Sequence, residues 1–230
     1  MLPAALAQHA SYCEALEQCG LDLIALDADA RFPDSTFVED TAVLTERVAV
    51  LARPGAASRR GEVASIADSL EDFYAERIEI HAPGTLDGGD VCRAEDHFFI
   101  GVSRRTNEAG AEQLADVLRV HDYGASLVDI RDSAELLHLK SGLSYVGEHR
   151  LVLDADLADR AMFRDFETLV VGPAERYAAN CVRVNEYLLV AEGYPRLTDE
   201  LTARGLTVIP LKMSEFRKMD GGLSCLSLRF

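Results

Sequence analysis

The sequence predicts an α/β fold in which five ββαβ modules close into a ring, as a single domain spanning residues 1–230. Three observations carry that prediction. The order strand, strand, helix, strand recurs with a period of roughly 40–50 residues, the length of one supersecondary unit. A chemically loaded residue recurs near the start of each module. The fifth module is split between the two ends of the chain, so that joining the ends completes the ring.

Taken in order, residues 2–20 read as a helix, with Leu6, His9, Ala10, Cys13, Leu16 and Glu17 at helical spacing and Gly20 as the stop. Residues 21–26 alternate as a strand. After the break Phe32-Pro33-Asp34-Ser35, residues 36–44 and 48–52 read as two strands joined by Thr45-Glu46-Arg47. Residues 60–74 then read as a helix and 78–81 as a third strand. The second module opens at 85–92, continues with a strand at 97–102 and a helix at 107–120, and closes at 125–129. The third opens at 136–140, repeats the strand pair across 143–153 and has a shorter helical stretch near 159–166. The fourth opens at 179–184 and continues with a strand at 187–191, a helix at 194–204 and a strand at 207–210. The fifth takes its opening strand from residues 223–230, after the turn Asp220-Gly221-Gly222, and its helix and last strand from residues 2–26. Each complete module has a second strand before its helix, whereas this chain starts with the helix, so the fifth module lacks one strand.

The composition is that of an ordinary globular protein, 48% hydrophobic and 27% charged, with enough apolar residues for a sizeable core. Lys and Arg number 23 against 39 Asp and Glu, a net charge of −16. That balance argues against nucleic acid or an anionic membrane as partner, because both are bound through basic patches. Five cysteines, Cys13, Cys19, Cys92, Cys181 and Cys225, show neither CxxC nor Cys/His zinc spacing, so neither a disulfide framework nor a structural metal is expected. No 18-residue apolar run and no signal peptide stand out, and the expectation is a soluble cytoplasmic protein.

The residues in phase with the repeat are Glu39 and Asp40, then Asp87 and Asp90, then His138, then Asn180 and Asn185, then Cys225. Equivalent positions in a pseudo-symmetric ring face one axis, so these side chains are expected to converge. Each has an ordinary structural alternative. Asp87 and Asp90 flank Gly88-Gly89 and suit a turn; His138 on an apolar segment suits a satisfied core histidine; Cys225 suits a small buried hydrophobe. None of these alternatives accounts for the phase.

Cysteine, histidine and carboxylates without metal spacing suit attack on a guanidinium. Carboxylates hold the cation by paired charge-assisted hydrogen bonds. The thiolate of Cys225 attacks the central carbon, and His138 protonates the departing amine and then activates water against the covalent thiouronium. Arg59, after the Pro54-Gly55 break, and Arg105, before the helix at 107–120, suit the carboxylate of a guanidino acid, a group arginine binds bidentately. The alternative for either is a solvated surface arginine.

At these residues the sequence resembles the dimethylarginine dimethylaminohydrolases, of the guanidine-modifying pentein superfamily of five-bladed αβ-propellers. The matching motifs are FPDSTFVEDTAV, RPGAASRRGE, GTLDGGDV, SRRTNEAGA, LLHLKS, ANCVRVN and KMDGGLSCLS, from about Phe32 to the C-terminus. The resemblance implies that Cys225 is the nucleophile and His138 the general acid/base. It implies that Glu39 and Asp40 meet the substrate guanidinium, with Asp87 at a further acidic position. Asp34 meets the substrate amino end, Arg59 and Arg105 its carboxylate, and Met219 contacts substrate through its backbone. The implied reaction converts Nω-methylated arginines to citrulline and methylamine or dimethylamine, without cofactor or metal, on a small guanidino amino acid; the oligomeric state stays open, a homodimer included. One difference accompanies the resemblance. Family members begin with a strand and a loop that contributes an apolar lid residue, and neither precedes Met1. Weaker substrate binding and lower stability are therefore expected here than in a chain extended upstream by that strand and loop. Other guanidine-modifying penteins, an arginine or agmatine deiminase or an amidinotransferase, remain alternatives, as does a non-catalytic propeller that binds a protein surface.

Overall fold

Apolar runs joined by short polar links fold as hairpins at the start of four modules. The computed structural model describes residues 2–230. Helix α1 (Leu2–Gln18) comes first. Strands β1 (Ala42–Leu44) and β2 (Ala49–Leu51) pair antiparallel, and β2 pairs parallel with β3 (Arg77–Glu79) after helix α2 (Val63–Ser69). The plan repeats with β4 (Val91–Ala94), β5 (His97–Val102), helix α3 (Glu108–Val120) and β6 (Gly124–Asp129). It repeats again with β7 (Leu143–Gly147), β8 (Arg150–Asp154) and β9 (Glu167–Val171). The fourth copy is β10 (Val182–Val184), β11 (Tyr187–Ala191), helix α4 (Pro195–Ala203) and β12 (Thr207–Leu211), followed by the short α5 (Ser214–Arg217). In each sheet the middle strand is antiparallel to the first and parallel to the third, and the parallel step requires the crossover. Helices serve as crossovers in three modules; in the other, the 3-10 turns Ala155–Leu157 and Ala161–Phe163 stand where a helical stretch was expected.

Contacts sort the chain into two compact units. One joins residues up to Asp27 with Ser141–Ser224, and the other joins Ala28–Lys140 with Cys225–Phe230. In the second unit, Val50, Val91, Phe98, Ile100, Leu114 and Leu118 form a core between the first two sheets and α3. Strand β5 is buried along almost its whole length, and so reads as a continuous apolar run rather than an alternation. In the first unit, Val152, Leu188, Val190, Leu197 and Leu201 form the corresponding core.

The α3 start explains one of the sequence motifs. Asn107 caps the helix by accepting from the Gly110 N–H at 2.9 Å, and its side chain also accepts from the Thr85 N–H. A Cβ on Gly110 would come within 2.0 Å of the Thr85 carbonyl oxygen, so the motif keeps glycine there to let two backbones touch.

Several expected strands are shorter or absent. Of residues 36–44, only β1 is strand; Val38–Thr41 is a 3-10 turn. The expected helix at 60–74 is a 3-10 turn, Ala57–Glu62, running into the shorter α2. Residues 21–26 and 223–230 were expected as strands of the fifth module. Among the described residues neither joins a ladder, and Ser224–Leu226 is a 3-10 turn. Alternation alone does not make a strand: the backbone groups need a neighbour to pair with, and the Ser224 N–H instead donates to the Asn180 side chain at 3.0 Å.

The 3-10 turns themselves keep the phase of the repeat. Val38–Thr41, Gly88–Asp90, Leu139–Ser141 and Arg176–Ala179 each stand just before the first strand of a module, and Ser224–Leu226 occupies the corresponding place near the C-terminus.

Candidate active site

Glu39 and Asp40 sit in the turn Val38–Thr41, Asp87 and Asp90 flank the Gly88-Gly89 pair, and His138 precedes Leu139–Ser141. All five side chains are buried and belong to the same compact unit. The turn geometry aims consecutive buried polar residues inward, where a strand would alternate them across two faces.

His138 Nε2 donates to Asp87 Oδ2 at 3.0 Å and lies 3.9 Å from Asp40 Oδ1. Burial alone would lower the imidazolium's pKa, but Asp40, the Asp87 hydrogen bond, Asp90 and the Asp87 charge outweigh it and push the pKa up to about 10. The ring is thus a proton donor at neutral pH. Asp87 Oδ1 accepts from the Gly55 N–H at 2.8 Å, so its carboxylate is fixed at both oxygens. Asp87 therefore acts on His138 directly, where sequence reading placed it only at a further acidic position.

Asp40 Oδ1 accepts from the Gly89 N–H at 2.9 Å, and Oδ2 lies 2.5 Å from Nη1 of Arg59. Burial opposes the charge on Asp40, but His138, Arg59 and the Gly89 N–H hold its carboxyl below the ordinary carboxylate range. Asp90 differs: burial pushes it up to about 6, against the pull of His138, Ser103, Thr106 and the Leu139 N–H. Its oxygens accept from Ser103 Oγ at 2.7 Å and from Leu139 N at 2.9 Å, so it ties the segment after His138 to the second module.

The two glycines between Asp87 and Asp90 are required by close approach. A Cβ on Gly88 would lie 2.0 Å from the Glu39 carbonyl oxygen, and one on Gly89 would lie 2.8 Å from both Asp40 Oδ1 and His138 Nδ1. Glu39 is paired with Lys140 Nζ at 2.7 Å, with Arg229 Nη2 at 3.8 Å.

Cys225 is half-buried in the turn Ser224–Leu226, in the same compact unit as His138, and forms no disulfide. The residues after it are anchored. Leu228 packs on the core of β1, β2 and α2, and the Phe230 ring meets Phe73 and Tyr74 edge-on, with centroids 5.1 and 5.5 Å away. In the other compact unit, Asn180 exchanges two hydrogen bonds with Ser224: Nδ2 donates to Oγ at 2.9 Å, and Oδ1 accepts the backbone N–H at 3.0 Å. The equivalent fourth-module residue thus braces the turn that carries Cys225. Asn185 does not join it; its side chain donates to the Cys19 carbonyl at 2.7 Å.

The remaining expected residues are spread out. Asp34 is half-buried, and its backbone carbonyl accepts from Arg59. Arg105 is half-buried beside Ser103, whose Oγ accepts the Arg105 backbone N–H. Met219 is 48% exposed and lies in the other compact unit. Arg59 is buried and paired with Asp40 and Glu62, so it is not the solvated surface arginine that stood as its alternative. Glu62 and Lys140 were not anticipated. The only local signal for Glu62 is its spacing of three from Arg59, and for Lys140 its place two after His138.

Residues 2–171 match the family model described as "N,N dimethylarginine dimethylhydrolase, eukaryotic". The chain is 44% identical to the N(G),N(G)-dimethylarginine dimethylaminohydrolase of Pseudomonas aeruginosa over 98% of its own length and 88% of that protein's. The chain belongs to the dimethylarginine dimethylaminohydrolase family. A relative of the same name from Streptomyces coelicolor is 33% identical over 98% of this chain and 85% of that protein. The crystal structure of the Pseudomonas aeruginosa enzyme as a Cys-to-Ser mutant complexed with citrulline superposes with a TM-score of 0.97 at 42% identity, covering 100% of this chain and 89% of that one. The N-terminal domain of ArgZ, an arginine dihydrolase, shares the fold at a TM-score of 0.90 but only 19% identity. The fold class is the α/β pentein propeller of these structures, as the repeat predicted. Among the described residues, no helix is long and apolar enough to cross a membrane.

Proposed function

We propose that this chain hydrolyses Nω-methylated arginines to citrulline and dimethylamine or methylamine, acting as one catalytic domain in the cytoplasm. The observation that carries this reading is the buried imidazolium of His138 held between Asp87 and Asp40 in the compact unit that also contains Cys225. The Cys225 thiolate adds to the guanidinium carbon. The C–N bond to the methylated nitrogen breaks as His138 gives its proton to the leaving amine. His138, now neutral, takes a proton from water as it attacks the thiouronium. Citrulline leaves, the thiolate is restored, and the net change is addition of one water and release of one amine.

Glu39 and Asp40 are the carboxylates for the guanidinium, by charge-assisted hydrogen bonds. Asp34 takes the substrate's ammonium end. Arg105 takes the substrate carboxylate, for which its guanidinium has no competing hydrogen bond or ion pair among the described residues. The relatives' names and the citrulline complex support a substrate with an amino-acid end. Citrulline release from asymmetric dimethylarginine and from arginine, measured side by side, tests the reading. Turnover of the methylated substrate is expected to exceed that of arginine; release from arginine alone would assign a deiminase instead.

A further inference from the structure

Asp90 is not used in the proton transfers, yet its carboxylate joins the two ends of the site. Its Oδ1 accepts the Leu139 N–H at 2.9 Å, on the peptide that follows His138. Its Oδ2 accepts the Ser103 hydroxyl at 2.7 Å. The Ser103 Oγ in turn accepts the backbone N–H of Arg105 at 2.9 Å and that of Thr106 at 3.1 Å. The Ser103 N–H donates to the Thr106 carbonyl at 2.9 Å, which closes residues 103–106 into a tight turn. Thr106 adds a second tie, because its Oγ1 accepts the Asp87 N–H at 3.0 Å. On the far side of Arg105, Gly55 leaves no room for a Cβ beside the Arg105 carbonyl, and its own N–H donates to Asp87 Oδ1 at 2.8 Å. Asp90, Ser103 and Thr106 are all buried. The backbone of Arg105 is thus fixed from both sides to the residues around His138.

Resting on the methylarginine-hydrolase reading, with Arg105 on the substrate carboxylate, we propose that Asp90 is a positioning residue that sets the separation of Arg105 from His138, and with it the chain length of the guanidino acid the site accepts. Such a substrate is held at both ends. Its carboxylate meets Arg105, and its guanidinium carbon must come within reach of Cys225 and His138. One methylene more or less moves that carbon by about 1 Å, and a misplacement of this size is costly where reacting atoms must approach to about 3–3.5 Å. Only two short hydrogen bonds through one planar carboxylate separate Ser103 from Leu139, so the span has little freedom. An ionised carboxylate accepts at both oxygens, whereas an amide offers one. Burial raises the pKa of Asp90 to about 6, against the pull of the His138 imidazolium, Ser103, Thr106 and the Leu139 N–H, so Asp90 is ionised at pH 8.

The test compares citrulline with homocitrulline, which is longer by one methylene, as ligands that protect Cys225 from iodoacetamide at pH 8. Alkylation is followed on the peptide containing Cys225, and the concentration of each ligand that halves its rate gives a binding ratio without turnover. The parent is expected to hold citrulline at least about tenfold tighter than homocitrulline, the discrimination one methylene can supply. In Asp90→Asn, which keeps the shape and loses one acceptor, the ratio should fall at least about threefold, a modest part of what misplacement can cost. Ser103→Ala removes the other end of the tie and should lower the ratio in the same way; it carries the test if Asp90→Asn does not fold. A general loosening of the fold, or a change in the charge of His138, weakens both ligands together and leaves the ratio unchanged. A parental ratio in folded Ser103→Ala or Asp90→Asn, whatever the loss of affinity, would overturn the proposal, as would a parent that holds the two ligands equally. Absence of citrulline release from dimethylarginine by the parent would instead count against the hydrolase reading, and the protection ratio would still be measured.

Discussion

His138 Nε2 and Asp87 Oδ2 lie 3.0 Å apart with both side chains buried. The pair fixes which nitrogen of the ring carries the shared proton and leaves Nδ1 on the other side, beside Gly89. It also makes protonation of His138 a property of the folded state.

That property predicts a pH dependence of stability. The native imidazolium keeps its proton up to about pH 10, whereas in the unfolded chain it titrates at the ordinary histidine value of about 6.5. A raised native pKa contributes stability that is fully present below the unfolded value and is lost as pH rises through the native one. Thermal midpoints of the parent and of His138→Gln, measured from pH 6 to 10, should therefore converge as the pH rises. In Asp87→Asn the convergence should be complete at lower pH, because one of the carboxylates that raise the pKa is gone. A difference between parent and His138→Gln that stays constant over this window would contradict the assignment.

His138→Ala should separate the steps of the reaction. Loss of the general acid and base should cut turnover by about 10²–10⁴, because amine departure and water attack both depend on it. Alkylation of Cys225 by a halo-amidine has a good leaving group and needs no such proton, so it should survive better. Equal loss in both assays would make His138 a structural residue.

Asn180→Ala removes both hydrogen bonds to Ser224. Taking the acceptor from a buried N–H costs about 1–3 kcal/mol, and urea unfolding at unchanged m-value should show a loss of that size. The turn that carries Cys225 should loosen with it, so kcat should fall more than KM rises. Asn180→Asp keeps an acceptor for the Ser224 N–H and should lie between the two. Parental stability in Asn180→Ala would show that the brace is dispensable.

The cluster of Asp40, Asp87 and His138 was legible in the sequence, because the repeat placed these residues in phase, as it did Glu39 and Cys225. What the repeat could not supply was the local backbone. Thr36, Phe37 and Val38 are residues that favour strands, and they disguised the 3-10 turn that presents Glu39 and Asp40. Residues 223–230 are apolar enough for a strand, but the Ser224 N–H is taken by Asn180, 44 positions away. Ion pairing was hidden for the same reason. Arg59 meets Asp40 across 19 positions and Lys140 meets Glu39 across 101, distances over which spacing carries no information. The Gly88-Gly89 pair was visible as a turn, whereas its reason, the lack of room beside Glu39, Asp40 and His138, depends on the fold.

The central claim is that Cys225 forms a covalent bond to the guanidinium carbon. Acid quench during turnover of dimethylarginine, followed by proteolysis and mass spectrometry, measures it most directly. The account predicts a thiouronium adduct on the peptide containing Cys225 in the parent. It predicts neither adduct nor citrulline release in a folded Cys225→Ser variant, because forming an alkoxide at neutral pH is far harder than forming a thiolate. An adduct on Cys13, Cys19, Cys92 or Cys181, or undiminished turnover by Cys225→Ser, would contradict it.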